Sequence, residues 1–286
     1  MRLPAHVAET IEVSLGEPPT SAEAVSGGCI NQAARVEVGP RIFFAKWHSN
    51  PPPDLFKSES EGLRRLGATA TVAVPEVVAQ SDHALVLEWI DRGPGTDAAM
   101  ADAGRRLAAL HGLRGHRPGL ADDGYIGSLT QKNVPLDPAE ACPSWIAFFR
   151  HRRIEALTPA LPSALRRRVE SIDLEELLTE PDGGCALLHG DLWGGNLVCG
   201  VDGVGWVVDP AAYYGHPEVD LAMTRLFGGF TPAFYDAYHE VAGGPDRGIG
   251  ERMDLLNLYP VLVHVHLFGG SYVGQVDAIA RRFSPS

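Results

Sequence analysis

The sequence predicts an α+β fold in two lobes, a small β-rich one followed by a larger, mainly helical one. Three observations carry this. Short apolar runs of strand character fill about the first 90 residues. A Gly/Pro break, Asp91-Arg92-Gly93-Pro94-Gly95, follows them. Apolar residues at helical spacing dominate the remainder. The expected boundaries are residues 1–90, a hinge at 91–95, and residues 96–286. A cleft between two such lobes is a natural nucleotide site.

The elements follow in order. Ala33–Val38 and Arg41–Trp47 flank Gly39-Pro40, a turn pair, and predict a hairpin. In its second strand Ile42, Phe44 and Lys46 share one face. A helix is expected from Asp54 to Leu66, with Asp54 as its N-cap after three prolines. Val74–Ala79 and Ala84–Trp89 read as two more strands. Past the break, Met100, Leu107, Leu110 and Leu113 recur at helical spacing, as do Trp145, Phe148 and Phe149. Leu161–Leu178 reads as one further helix. A glycine-rich region from Pro181 to Gly215 then carries two short strands, and helices resume from Pro217 to the end.

Composition narrows the function. With 286 residues, 45% hydrophobic and 21% charged, the chain is long enough for a sizeable core, and disordered, collagen-like and disulfide-scaffold classes are excluded. There are 24 basic residues against 36 acidic ones, a formal charge of −12, so no nucleic-acid partner is expected. The four cysteines form no C-x-x-C pair, which argues against a zinc or thioredoxin-type site. The N-terminus has no apolar signal region, and the longest apolar stretch, Leu258–Phe268, is broken by two histidines and is far short of a membrane span. A monomeric cytoplasmic protein with reduced thiols and no membrane partner is expected.

The chemistry-bearing residues begin at Leu188-His189-Gly190-Asp191-Leu192-Trp193-Gly194-Gly195-Asn196. This fits H-x-D-x-x-x-x-N, the spacing of a kinase catalytic loop. Phosphoryl transfer needs a carboxylate to orient the acceptor hydroxyl and take its proton, a role that suits Asp191. It also needs a hard oxygen donor for Mg²⁺, a role that suits the Asn196 amide. The apolar run Val204–Val208 ends at Asp209, a second Mg²⁺ candidate, although Asp209-Pro210-Ala211 lacks the phenylalanine of a kinase DFG.

Two anomalies in the first lobe point the same way. Lys46 lies on an apolar strand face, where a lysine is costly unless an anion meets it. Glu59 lies on the apolar stripe Phe56, Leu63, Leu66 of the following helix. A Lys46–Glu59 pair would resolve both and would match the kinase lysine–glutamate arrangement. Gly27, Gly28, Cys29 and Asn31 form a loop whose glycines permit close backbone approach to phosphate oxygens. The strand Val86-Leu87-Glu88-Trp89-Ile90 offers backbone to an adenine ring near Glu88 and Ile90. The order of these parts is that of a protein-kinase-like fold binding ATP and Mg²⁺.

The chain as a whole resembles the fructosamine-3-kinase (ketosamine-3-kinase) family, related to aminoglycoside phosphotransferases and choline kinases. The likeness rests on Gly27-Gly28-Cys29-Ile30-Asn31, Phe44-Ala45-Lys46, Phe56-Lys57-Ser58-Glu59 and Leu107-Ala108-Ala109-Leu110-His111. It rests most on LHGDLWGGN at 188–196, DPAAYYGHPE at 209–218, Phe227-Gly228-Gly229-Phe230 and His266-Leu267-Phe268-Gly269-Gly270-Ser271-Tyr272. The resemblance implies ATP-dependent phosphorylation of the 3-hydroxyl of a ketosamine or glycated amine, followed by release of the amine. It implies Asp191 as base, Asn196 and Asp209 as Mg²⁺ ligands, Lys46 on the α/β-phosphates with Glu59 behind it, and Trp193 as a wall of the sugar pocket. Tyr214, His216 and Glu218 are expected to brace the catalytic loop. Residues 114–144 give few anchors and are expected near the acceptor. An aminoglycoside or other amino-alcohol kinase is the alternative; a nucleotide-binding pseudokinase would require a damaged catalytic set, and this one is complete.

Overall fold

Hydrophobic alternation and one tight turn build the first sheet. β1 (Ser21–Ala24), β2 (Gln32–Val38), β3 (Arg41–Trp47), β4 (Val77–Gln80) and β5 (Ala84–Glu88) form an antiparallel sheet in the order β1-β2-β3-β5-β4. Gly39 turns the β2–β3 hairpin with a left-handed backbone (φ 56°), and Ala33 faces Lys46 across it. The computed structural model describes residues 1–25, 31–137, 144–245 and 248–285.

The period-2 alternation of β3 divides its side chains between two cores. Phe43, Ala45 and Trp47 pack with Val36, Val38 and with Val7 and Ile11 of α1 (Ala5–Leu15). On the other face Phe44 packs against Leu55, Phe56 and Leu63 of α2 (Leu55–Ala68), together with Leu85 and Leu87. Lys46 shares that second face, so the strand aims it at α2.

Three local expectations are corrected here. Asp54 is not a capping residue: its backbone is left-handed (φ 60°) and its side chain makes no cap hydrogen bond. The stretch 161–178 is not one helix but two, α5 (Ser163–Glu170) and α6 (Leu174–Leu177), because Asp173 caps a new start by accepting from Glu176 N. The glycine-rich region carries four strands rather than two: β8 (Ala186–Leu188), β9 (Leu197–Cys199), β10 (Gly205–Val207) and β11 (Tyr213–Gly215).

The rest of the chain is mainly helical. α3 (Asp97–Gly112) is capped by Thr96, whose hydroxyl accepts from Ala99 N at 3.2 Å. α4 (Trp145–Phe149) runs into a π-helical turn, Arg150–Glu155. α7 (Glu218–Leu226), α8 (Pro232–Ala242), α9 (Ile249–Leu256), α10 (Leu258–Phe268) and α11 (Val273–Phe283) complete the chain. One large core joins these helices, with Trp145, Phe149, Leu188, Tyr213 and Leu258 at most 1% exposed. α3 and α8 meet where Gly104 allows it: a Cβ there would lie 2.2 Å from the Phe234 carbonyl oxygen. Among the described residues no helix is long and apolar enough to cross a membrane.

The first half of the residue 91–95 segment is tied to the end of β9 and the turn after it. Gly93 N donates to Cys199 O at 2.8 Å and Val201 N to Asp91 O at 2.9 Å. The hairpin of β6 (Gly124–Ile126) and β7 (Leu129–Gln131) lies under α2, with Tyr125 Oη donating to Pro53 O at 2.8 Å. Part of the segment with few sequence anchors is therefore a prop for α2.

Candidate active site

The site starts with Lys46. Its Nζ lies 2.5 Å from Glu59 Oε2 and 2.8 Å from Asp209 Oδ1, with the lysine side chain only 6% exposed. The expected Lys46–Glu59 pair is present, and Asp209 joins it. Three elements meet at this nitrogen: β3, α2 and the turn after β10. Close packing holds them there. A Cβ on Gly62 of α2 would lie 3.3 Å from Pro210 Cγ, so the helix rests directly on the Asp209–Ala212 turn.

One cation facing two carboxylates sets the local charge. Burial raises the Glu59 pKa to about 7; the Lys46 charge opposes this and the Asp209 charge adds to it. Burial would also raise Asp209, but the Lys46 charge and hydrogen bond outweigh it and hold that carboxyl below its usual range. Burial disfavours the Lys46 ammonium, yet the two carboxylates hold its pKa above the ordinary lysine value. Asp209 itself has a left-handed backbone (φ 55°), a strained state for a non-glycine residue of the kind found at functional sites.

The loop that carries Asp191 is fixed from beneath. Asp220, fully buried on α7, accepts from His189 N and from Gly190 N, both at 2.8 Å. His111 of α3 contacts Asp220 Oδ2 at 3.2 Å through Nε2 and Tyr238 Oη at 2.9 Å through Nδ1. His189 Nε2 donates to Val208 O at 2.9 Å while its Nδ1 accepts from Asp191 N at 3.3 Å. That pattern is a neutral ring, and burial holds the His189 pKa below its usual value. Gly190 is required: it is left-handed (φ 81°), and a Cβ would lie 2.1 Å from Ala211 O.

Asp191 and Asn196 meet as their spacing predicts. Asn196 Nδ2 donates to Asp191 O at 2.8 Å and to Asp191 Oδ2 at 3.2 Å. With its nitrogen so engaged, the amide leaves Oδ1 as an oxygen donor. Burial, reinforced by the Asp209 charge and only partly offset by the Asn196 hydrogen bond, raises the Asp191 pKa to about 7. Such a carboxyl is poised for proton transfer near neutral pH.

The remaining expected residues divide. Trp193 follows Asp191 by two positions and is 37% exposed, so its ring is open to a ligand. Asn31 carries a buried Oδ1 with no partner among the described residues. Gly27, Gly28 and Cys29 lie outside the described residues. The Glu88 side chain does not join the Lys46 cluster; it accepts from Glu76 N at 3.2 Å, beside a cavity lined by Leu63, Arg64 and Trp206. Ile90 follows, half-buried, as chain leaving β5. His216, 8% exposed, accepts from Glu218 N, and burial brings its pKa down to about 3, so it is a neutral structural group. Glu218 is held by Arg252 through Nε at 2.7 Å.

Sequence reasoning missed Asp220 and the role of His111. The available signal was two acids, Glu218 and Asp220, in the otherwise apolar start of α7, and a histidine on the buried face of α3.

Known proteins resemble this chain along nearly its whole length. A family model described as fructosamine kinase matches residues 4–284. The chain belongs to the fructosamine kinase family. It is therefore an ATP-using phosphotransferase. A Synechocystis protein named probable ketoamine kinase is 37% identical over 290 residues, covering 96% of this chain and 95% of that one. The chloroplastic protein-ribulosamine 3-kinase of Arabidopsis thaliana is 32% identical over 278 residues, covering 91% of this chain and 81% of its own. A crystal structure of a Thermobifida fusca protein assigned as a fructosamine-3-kinase superposes with a TM-score of 0.84 at 32% identity, covering 96% and 97% of the two chains. The aminoglycoside phosphotransferase APH(2″)-IIa, solved with streptomycin and ATP, superposes with a TM-score of 0.67 at 14% identity and covers 99% of this chain and 98% of its own, which shows a shared protein-kinase-like fold.

Proposed function

We propose that this protein transfers the γ-phosphate of ATP to the 3-hydroxyl of a ketosamine, with Asp191 as the base. The observation that carries the reading is Lys46 bound to both Glu59 and Asp209, with Asp191 and Asn196 in contact on the neighbouring loop. Lys46 would steady the α/β-phosphates and Glu59 would hold Lys46 in place. Residues 27–31 would cover the phosphates, and the backbone near Glu88 and Ile90 would meet the adenine. Segment 91–95 would act as a hinge between a nucleotide-binding lobe, 1–90, and an acceptor-binding lobe, 96–286.

The donor set suits Mg²⁺. Asn196 Oδ1 and the half-exposed Asp209 carboxylate are hard oxygen donors, and two carboxylates around one lysine leave an excess negative charge. Mg²⁺ commonly keeps only one or two protein ligands and completes its shell with substrate phosphates and water. When bound, Mg²⁺ would neutralise charge building on the phosphate oxygens.

Asp191 would orient the acceptor hydroxyl and accept its proton as that oxygen bonds to phosphorus. The bond from the γ-phosphorus to the β–γ bridging oxygen breaks, and ADP leaves. Trp193 would wall the sugar. The product would carry its phosphate on C3, next to the C2 carbonyl; after enolisation toward C1 the phosphate leaves from C3, and water hydrolyses the resulting C1 imine to free the amine, so the reaction would initiate deglycation.

The test is Mg²⁺-dependent ADP release with ribuloselysine, fructoselysine and an aminoglycoside. Stimulation by a ketosamine is expected. Stimulation by the aminoglycoside alone would replace the acceptor, and turnover with none of them would overturn the reading.

A further inference from the structure

A row of aromatic rings leads outward from the catalytic loop. Trp193 meets Phe227 edge-on, with ring centroids 6.1 Å apart. Phe227 meets His264 at 4.9 Å, and His264 meets Phe268 at 5.4 Å and Tyr272 at 4.9 Å. The rings come from four places in the chain: the catalytic loop, the residue after α7, α10, and the turn before α11. His264 is anchored by its Nδ1, which donates to Pro260 O at 2.7 Å. Trp193, Phe227 and Phe268 are 37%, 41% and 46% exposed. Single exposed aromatics are ordinary, but a contiguous exposed set marks a binding surface.

The backbone makes this row continuous with the site. A Cβ on Gly194 would lie 2.6 Å from Gly228 O, and one on Gly229 would lie 2.8 Å from Gly194 Cα. The catalytic loop and the segment carrying Phe227 therefore touch main chain to main chain. A sugar walled by Trp193 would have Phe227, in contact with Trp193, as the next ring along the surface.

We propose that this row is the carrier site of the acceptor: it takes the protonated amine of the ketosamine and the alkyl chain attached to it, of the lysine side-chain kind. The proposal rests on the ketosamine reading above. In a ketosamine the amine sits on C1, two carbons from the reacting 3-hydroxyl carbon. With that hydroxyl at Asp191, the ammonium lies within reach of the first rings, and the alkyl chain continues beyond it. Aromatic faces attract an ammonium group, and the same rings cover methylenes that water would otherwise surround. The formal charge of −12 favours a cationic acceptor over an anionic one. The row is therefore a specificity device that favours sugars carried on long alkyl amines over a bare amino-ketose.

The experiment uses one sugar on four carriers: ammonia, butylamine, free lysine, and a lysine within a short peptide. The full-length protein, Phe227→Ala, Phe268→Ala and Phe227→Leu are compared by the ratio of kcat/KM on each alkyl carrier to that on the ammonia adduct. A ratio within one variant is independent of how much of it is folded. The expected result is a ratio well above one in the unsubstituted protein, falling about five- to tenfold in each alanine variant, the size of a lost aromatic contact. Phe227→Leu should keep most of the alkyl preference, since it restores apolar area without the π face. The free and peptide lysine arms show which source of the alkyl amine is accepted. Equal ratios in all variants, or no carrier preference in the unsubstituted protein, would overturn the proposal while leaving the kinase reading intact. No phosphorylation of any of the four would remove both.

Discussion

The side of the site proposed for the nucleotide and the side proposed for the acceptor are built from different materials. On the proposed nucleotide side, the buried Lys46 ammonium holds the nearly buried Glu59 at 2.5 Å and the half-exposed Asp209 at 2.8 Å. On the acceptor side, exposed rings run from Trp193 to Phe268 with no ion pair among them. The difference suits the two proposed ligands. Phosphate charge is the same in every turnover, so fixed charges can be preorganised against it. An acceptor is read by shape and apolar contact, which open aromatic surface provides at low conformational cost. Between the two sides lies Asp191, whose environment belongs to both.

The largest test of this division removes the group at the boundary. Asp191→Asn should lower kcat by two to four orders of magnitude, the usual contribution of a general base, while ATP binding measured by calorimetry persists. Loss of ATP binding instead would place Asp191 on the nucleotide side.

Lys46→Met should act on the nucleotide side alone. It leaves Glu59 and Asp209 facing each other without a cation, a loss of about 3 kcal/mol in chemical denaturation, near the low end for a broken buried pair because Asp209 is half exposed. A companion change, Glu59→Gln, should recover part of that stability by removing one of the two carboxylates. Asp220→Asn should cost about 2 kcal/mol, because an amide cannot accept at both of the positions that now receive His189 N and Gly190 N. The loop would loosen, so kcat should fall more than acceptor KM rises.

The pH dependence is the gentlest test. Burial and the Asp209 charge raise the Asp191 pKa to about 7, and a base works only when ionised. Acceptor kcat/KM should therefore fall on the acid side of about pH 7, approaching tenfold per unit. Because the folded state holds the Asp191 proton more tightly than the unfolded one, this group's contribution to stability is present in acid and is lost as pH rises through about 7. Thermal melts of the parent and Asp191→Asn should differ in that sense: the parent loses stability across this window relative to the variant.

The same contrast explains what the sequence disclosed. Lys46 and Glu59 each broke an apolar pattern, and a buried charge out of pattern demands a partner, so their pairing was legible. The H-x-D-x-x-x-x-N spacing delivered Asp191 and Asn196 to one point because the eight residues from His189 to Asn196 suffice to form that loop. The sharing of Lys46 by Asp209 was not legible, because it depends on a left-handed backbone at a non-glycine residue. Asp220 and His111 are 109 residues apart, and no local spacing announces a brace between α3 and α7. The helix α1 escaped because only Val7 and Ile11 of its residues are buried, and β1, Ser-Ala-Glu-Ala, has no β-branched residue to mark it. The long helix expected at 161–178 failed because helical periodicity continued through Ile172-Asp173, where a capping aspartate starts a new helix. The aromatic row draws on four separate segments: Phe227, Phe268 and Tyr272 stood in the sequence as motif residues, but only Trp193 was read as a wall for a ligand.

The account is tested most directly by the identity of the product. The protein would be incubated with Mg-ATP and a lysine-linked ketosamine, and the product examined by phosphorus–proton correlation NMR. A single phosphomonoester coupled to the proton on C3 of the sugar is the predicted result. A phosphate on any other hydroxyl, or no phosphorylated sugar at all, would contradict it.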